Sequence, residues 1–302
     1  MAYVRTVQRG THLYRYLVQS YRWNGKLLRK ELYLGTSVPR DLAPFKLKLE
    51  RQIWEDTWFA EFDRIRAGYQ ERLRSVPGSV LEQERREFVL EFTYNTNRIE
   101  GSTMTLEDTR LLLERGIVTP MRPVRDIMET QLHAKLLERL IANPEPVDLD
   151  HLLAWHKELF SQSKPDLAGR LRDYNVRIGG SKHLPPPANE AGAMLQELLR
   201  WVKNSAKRLH AVEIAGEFHF RFEYIHPFGD GNGRVGRLAM NMLLSNRGFP
   251  MLNIPYVRRR GYYSALEASS VKKDPRPFLN WFFLRFSRSN RFFLGPQRNS
   301  RR

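Results

Sequence analysis

The segment His226-Pro-Phe-Gly-Asp230-Gly-Asn232-Gly-Arg234-Val-Gly-Arg237 limits what this chain can fold into more than any other stretch. It must end one helix and begin another. A helix usually stops before proline, so Pro227 closes a helix over residues 211 to 225 and leaves His226 at the break. Gly229, Gly231 and Gly233 permit tight backbone turns close to a ligand. The following helix starts near Gly233, so its unpaired N–H groups and the positive end of its dipole face the loop. That arrangement receives an anion. Arg234 and Arg237 are three apart, on one helix face, and can both grip a di- or triphosphate. Asp230 is placed to hold Mg²⁺ bridging phosphates, with water completing the octahedron. The Asn232 amide can donate to an oxygen on which negative charge develops. His226 supplies a base for a nucleophile. A loop that only joined two helices would need neither the histidine nor two in-phase arginines.

The rest of the chain reads as mainly α, with two small β-hairpins. His12 to Trp23 is rich in aromatic and branched residues, Asn24-Gly25 is a strong two-residue hairpin turn, and Lys26 to Leu34 returns as a second strand. Pro39 and Pro44 punctuate a linker. Helical spacing then runs from about Lys46 to Tyr69, from Leu81 to Thr96, and from Glu107 after the cap Thr105. Further helices are expected at 126–142, 148–160, 189–207, 211–224, 234–246, 262–268 and 277–288. The stretch from Tyr174 to Pro187 cannot be helical. Gly179-Gly180 allows a turn and three prolines enforce extension, which predicts a short exposed hairpin or flap. The domain division expected is 1–45 for the N-terminal hairpin, 46–110 for N-terminal helices, 111–288 for the core and 289–302 for a loose basic tail.

Composition narrows the classes. Hydrophobic residues are 41% and charged residues 27%, ordinary for a soluble globular chain. No stretch approaches the roughly 18 apolar residues of a membrane span, and residues 1 to 9 hold no apolar signal core. The expected location is cytoplasmic, without membrane association. Cysteine is absent, which removes disulfides and cysteine-based zinc sites. No His, Asp or Glu cluster has zinc-ligand spacing. A net charge of +17 favours acidic partners such as nucleotides, nucleic acid or an anionic protein.

His226 to Arg237 resembles, with no mismatch, the signature of the Fic (filamentation induced by cAMP) family, H-x-F-x-D/E-G-N-G-R-x-x-R. The likeness extends over about residues 85 to 285 and leaves the N-terminal hairpin outside. It implies a Fic-type helical bundle that transfers AMP from ATP to a Ser, Thr or Tyr hydroxyl of a protein, the chain itself included. It implies His226 as general base and Asp230 as the Mg²⁺ ligand. It implies Gly231, Asn232, Gly233 and Gly236 beside the phosphates, with Arg234 and Arg237 on the β- and γ-phosphates. Relatives that transfer phosphoryl groups usually carry lysine where Gly233 stands, so Gly233 favours nucleotidyl transfer.

Three further segments follow from the likeness. Val176, Arg177, Ile178, Gly179 and Gly180 resemble the family's flap, which pairs with the target's main chain in β-fashion; Ile178 and Gly179 also border the nucleotide. Thr96-Asn-Arg-Ile-Glu100-Gly101 resembles its inhibitory motif, S/T-x-x-x-E-G/N. Thr96 and Glu100 lie on one helix face, where the glutamate can reach Arg237 and take the place of the γ-phosphate. Tyr262 and Tyr263 resemble its tyrosine pair next to adenine, where a ring can stack on the base. His219 is expected to be packed rather than catalytic, and His183 to lie at the surface. Two alternatives stay open: removal of AMP from a modified protein at the same site, and a nucleic-acid-associated protein whose loop only senses nucleotide. A homo-oligomer also stays open.

Overall fold

The structure, a computed structural model, describes residues 2–295. The expected tail falls outside the described residues from position 296 onward; Arg291–Leu294, within it, form a 3₁₀ turn. The chain divides into two compact units, one ending at Arg64 and the other starting at Ile65.

The first unit is a three-stranded antiparallel sheet in the order β1 (Tyr3–Arg9), β2 (His12–Trp23), β3 (Lys26–Gly35), backed by α1 (Ala43–Trp54). The Asn24-Gly25 turn is present, with both residues at positive φ, as a two-residue hairpin requires. The N-terminal element is therefore a meander rather than a single hairpin, because β1 pairs with β2 from Tyr3↔Val18 to Arg9↔His12. Leu17 of β2 and Leu49 and Ile53 of α1 form its core, with Val4, Leu32 and Phe45 packed around them. That packing explains why the unit runs past the expected boundary at residue 45. A π-helical segment, Glu55–Phe59, follows α1 without a break and leads into α2 (Ala60–Ser75).

The second unit is helical: α3 (Gly78–Ile99), α4 (Leu106–Arg115), α5 (Val124–Ala142), α6 (Leu149–Phe160), α7 (Ala188–Ser205), α8 (Ala211–Ile225), α9 (Asn232–Ser245), α10 (Arg259–Lys272) and α11 (Arg276–Ser289). Thr105 caps α4 in a reciprocal capping box with Asp108, and Asp148 caps α6. Every residue of α9 except its last is buried, so this is the central helix. It packs on α8, α3 and α6, and α8 in turn packs on α7, α10 and α11. The break between α8 and α9 thus lies inside a rigid helical frame. α3 belongs to this unit and ends against α9, which puts Thr96 and Glu100 beside the glycine loop.

The flap differs from the expected β-hairpin. Among the described residues the only sheet is the N-terminal one, and residues 174–187 form no strand pair. A turn from Ile178 to Ser181 survives, closed by Ser181 N–H donating to the Ile178 carbonyl at 3.2 Å. Pro185, Pro186 and Pro187 lack the donors that a ladder would need.

One contact fixes how α8 is held. A Cβ on Gly216 would lie 2.6 Å from Phe282 and 3.0 Å from Leu279 of α11. Gly216→Ala is expected to destabilise the protein by about 1–3 kcal/mol through overpacking. Urea unfolding measures it, and unchanged stability would show that α11 yields freely.

Candidate functional site

A cleft of about 790 Å³ opens over the start of α9. Its walls include Glu100, the flap turn Ile178–Gly180, His226, Asp230 to Gly233, Arg237 and Tyr263. The predicted motif, flap and inhibitory segment therefore meet in one cavity, though separated by up to 137 positions in the chain.

His226 takes a left-handed conformation, φ 52°, at the C-terminal end of α8. Its Nδ1 lies 3.4 Å from the Glu223 carbonyl. A carbonyl only accepts, so this contact places the proton on Nδ1 and leaves Nε2 to accept. Burial lowers the imidazole's pKa, so the ring is neutral at pH 7 and able to take a proton.

Gly231 has φ 79° and lets the backbone swing into α9. The Asp230 side chain, 43% exposed, pairs with Lys164 and lies 3.8 Å from Arg234. Burial raises the carboxyl's pKa, but the Lys164 hydrogen bond and the charges of Arg234 and Lys164 outweigh it and hold it below the usual range. No group of three or more acidic or histidine ligands exists among the described residues. One ionised carboxylate suits a magnesium ion that takes its remaining ligands from phosphate and water. Lys164 would have to give way to it.

The two arginines do not act together. Arg234 turns to α5, where it pairs with Glu129 and sits 4.4 Å from the centroid of the Phe160 ring. It is 5% exposed and outside the cleft wall, so the expected shared grip on a polyphosphate is not what the structure shows. Three residues on a helix leave a 60° offset, and two carboxylates on different helices, the buried Glu129 and the partly exposed Glu100, pull the guanidiniums apart. Arg237 alone faces the cleft. Its Nε donates to Thr96 Oγ1 at 2.7 Å, its Nη2 to the Thr96 carbonyl at 3.2 Å and to Glu100 Oε1 at 2.7 Å. Burial would lower the pKa of this 1% exposed guanidinium; Glu100 leads the charges that raise it instead. Glu100 also lies against the Cα of Gly233, where any Cβ would collide with its carboxylate. Glu223 stands nearby with Oε1 buried and unpartnered; burial pushes its pKa up to about 8, so at neutral pH it carries a proton and does not compete for Arg237.

Three other expectations change. The Asn232 side chain accepts from Phe228 N–H at 2.8 Å and donates to the Phe228 carbonyl at 2.9 Å, so it locks the loop instead of pointing at the cleft. Gly236 borders α8, where a Cβ would come 2.8 Å from Glu223 Oε1, and serves helix packing instead of nucleotide contact. Tyr262 is 1% exposed, bonded to His219 Nε2 at 2.8 Å and 3.5 Å from Arg237 Nη1. It steadies Arg237 and has no open face for a base. Tyr263, 44% exposed and donating to the Ile99 carbonyl at 3.0 Å, keeps that capacity. His219 is packed as expected. His183 is not at the surface: it is 8% exposed and bonded to the Tyr224 carbonyl at 2.8 Å.

Several site residues escaped sequence reasoning. His156 accepts from Gly169 N–H at 2.9 Å through Nδ1, which leaves Nε2 to donate to the Asp230 carbonyl at 3.0 Å. Glu267 of α10 holds the flap turn through Ser181 Oγ and the Lys182 N–H. Arg172 donates to the His226, Tyr174 and Pro186 carbonyls at 2.8, 3.1 and 2.6 Å and so ties the flap base to the break after α8. No local pattern marks any of them.

Residues 146–244 match the Fic/DOC family. The chain carries a domain of that family. It is 32% identical over 218 residues to the protein adenylyltransferase Fic of Nematostella vectensis, covering 70% of this chain and 50% of that one. It is 28% identical over 228 residues to the protein adenylyltransferase fic-1 of Caenorhabditis elegans, covering 74% and 44%. The chain thus spans about half the length of these Fic relatives. Among solved structures, a Fic-domain signalling protein from Bacteroides thetaiotaomicron superposes with a TM-score of 0.68 at 25% identity, covering 78% of this chain and 95% of that one. Fic-1 (residues 134–508) from C. elegans superposes at 0.69 and 25% identity, covering 83% and 74%.

Arg172→Ala would strand several carbonyls at the Fic loop and free the flap. Amide exchange across residues 174–187 is expected to quicken, with a loss of about 2–4 kcal/mol in stability. Arg172→Lys is expected to rescue little, since one ammonium cannot reproduce the fork. Unchanged exchange in the alanine variant would remove Arg172 from this role.

Proposed function

We propose that this chain is a protein adenylyltransferase that moves AMP from ATP to a protein hydroxyl and is restrained by Glu100. The single observation carrying the reading is the convergence of a neutral, partly buried His226 and an ionised Asp230 on one cleft over the start of α9. The names of the similar proteins support it.

ATP is the substrate in this reading. Its phosphates lie along the N–H groups at the start of α9, and Asp230 holds Mg²⁺. The metal, when bound, neutralises charge on the phosphates. His226 Nε2 accepts the proton of the incoming Ser, Thr or Tyr hydroxyl, whose oxygen attacks the α-phosphorus while pyrophosphate departs. The flap turn, Val176 to Gly180, aligns the target's main chain. Arg237 is the group that receives the γ-phosphate. Its nitrogens are held by Thr96, Glu100 and Tyr262, so a third phosphate must first displace the Glu100 carboxylate. A second reading, water-driven removal of AMP, draws on the same carboxylate, which remains 27% exposed at the cleft wall.

Two expected outcomes test this. Glu100→Gly is expected to raise labelling of the chain or of a lysate by α-labelled ATP at least tenfold. It should also lower stability without nucleotide, because Arg237 is left buried and uncompensated. Mg²⁺-ATP at about a hundred times its Kd should then restore about 2.7 kcal/mol. Equal labelling by both forms would remove Glu100 as a brake. In the Glu100→Gly background His226→Ala is expected to abolish labelling while ATP still binds. Retained labelling would refute His226 as base, and loss of an existing AMP group instead of gain would favour the second reading.

The pH dependence has a definite sign. The folded His226 pKa lies below the ordinary 6.5, so the base is fully present at pH 7 and is lost only as pH falls through that lowered value. The acid limb of kcat/KM should therefore fall below pH 6.5. A limb at or above it would mean the imidazole is solvated.

A further inference from the structure

The outer face of the N-terminal sheet concentrates tyrosine and arginine, well away in sequence from the glycine loop. Strand register decides which side chains share it, because directly opposed residues point to the same side. Tyr3 opposes Val18, Arg5 opposes Tyr16 and Arg9 opposes His12. Tyr16 opposes Tyr33, Ser20 opposes Arg29 and Arg22 opposes Leu27. The opposite face, with Val4, Leu17 and Leu32, packs on α1. The tyrosine face therefore points away from α1.

Its rings form one patch. Tyr33 lies 5.3 Å from Tyr16 and 6.2 Å from Tyr14 between ring centroids, and the Arg5 guanidinium sits 5.8 Å from the Tyr16 centroid. Tyr3 and Tyr33 each stay 50% exposed. The three strands carry seven Lys or Arg and one acid, Glu31, which Arg5 and Arg29 engage. Arg9 is exposed near one end of the face and Arg22 near the other. Ten residues of strand separate His12 from Arg22, about 34 Å.

We propose that this face binds single-stranded RNA. Cations at both ends suit a polyanion, and open tyrosine rings between them suit stacked bases. A strand rather than a duplex is favoured because open rings can stack on unpaired bases, whereas the bases of a duplex are already stacked on one another. RNA rather than DNA is favoured by the hydroxyls of Tyr3, Tyr33 and Ser20, which can pair with the ribose 2′-OH. An acidic peptide would satisfy the cations but leave the rings without partners.

The test uses the full chain and a fluorescein-labelled oligouridine of about 12 nucleotides, read by anisotropy between roughly 50 and 200 mM salt. Affinity should fall with salt, and Arg9→Ala with Arg22→Ala should reduce the log–log slope by about 1.4. Tyr33→Ala should weaken binding roughly 5- to 150-fold at fixed salt, the range for one stacked base. Tyr33→Phe should keep most of the affinity but narrow the preference over the DNA oligomer of equal length, and it retains the test if the alanine variant fails to fold. His226→Ala should bind RNA as the parent does, so this inference and the proposed transfer activity fail separately. No anisotropy change, equal binding of single-stranded DNA, tighter binding of a duplex, or a Tyr33→Ala variant that binds as well as the parent would each overturn it.

Discussion

The ion pair between Arg237 and Glu100 organises the cleft. A guanidinium that is 1% exposed must have its charge answered, and α3 answers it three times with Thr96 Oγ1, the Thr96 carbonyl and the Glu100 carboxylate. Tyr262 fills the remaining side and is itself held by His219. The bonds join α3, α8, α9 and α10 through a single side chain. In the proposed reaction they also decide what the cleft accepts, because a third phosphate would need the nitrogens that the glutamate holds. Gly233 matters for the same reason, since a side chain there would evict the carboxylate without any nucleotide.

A second electrostatic chain runs along the other side of the loop. Glu129 of α5 binds Arg234, Arg234 approaches Asp230, and Lys164 pairs with both carboxylates. Two acids and two bases alternate, so no charge is isolated. The chain keeps Asp230 ionised while leaving it in the cleft, which a metal ligand needs. His156 and Asn232 add neutral clamps on the loop backbone. The result is a loop backbone held in place around one ionised carboxylate.

Much of this was legible because the chemistry is contiguous. His226 to Arg237 forms one break between helices, and its residue types carry their meaning locally. Thr96 and Glu100, one helical turn apart, could be paired with Arg237 through family likeness. The Asn24-Gly25 turn announced its hairpin. What stayed hidden is long-range. Lys164 and Glu129 meet the loop from 66 and 105 positions away, and nothing beside them in the chain hints at it. The shared face expected of Arg234 and Arg237 failed because partners on different helices, not helical phase alone, set where a long side chain goes. The flap lost its expected strands because three consecutive prolines remove ladder donors. β1 escaped notice because Gly10-Thr11 is a weaker turn signal than Asn24-Gly25.

Glu100 occupies the C-cap of α3, followed by Gly101 at φ 94°. The last turn of a helix is the part most prone to fray, so the carboxylate hangs on the least secure rung of its own ladder. Its departure breaks the bond to Arg237 and the few backbone hydrogen bonds of that last turn, while Thr96, one turn inward, keeps hold of the guanidinium.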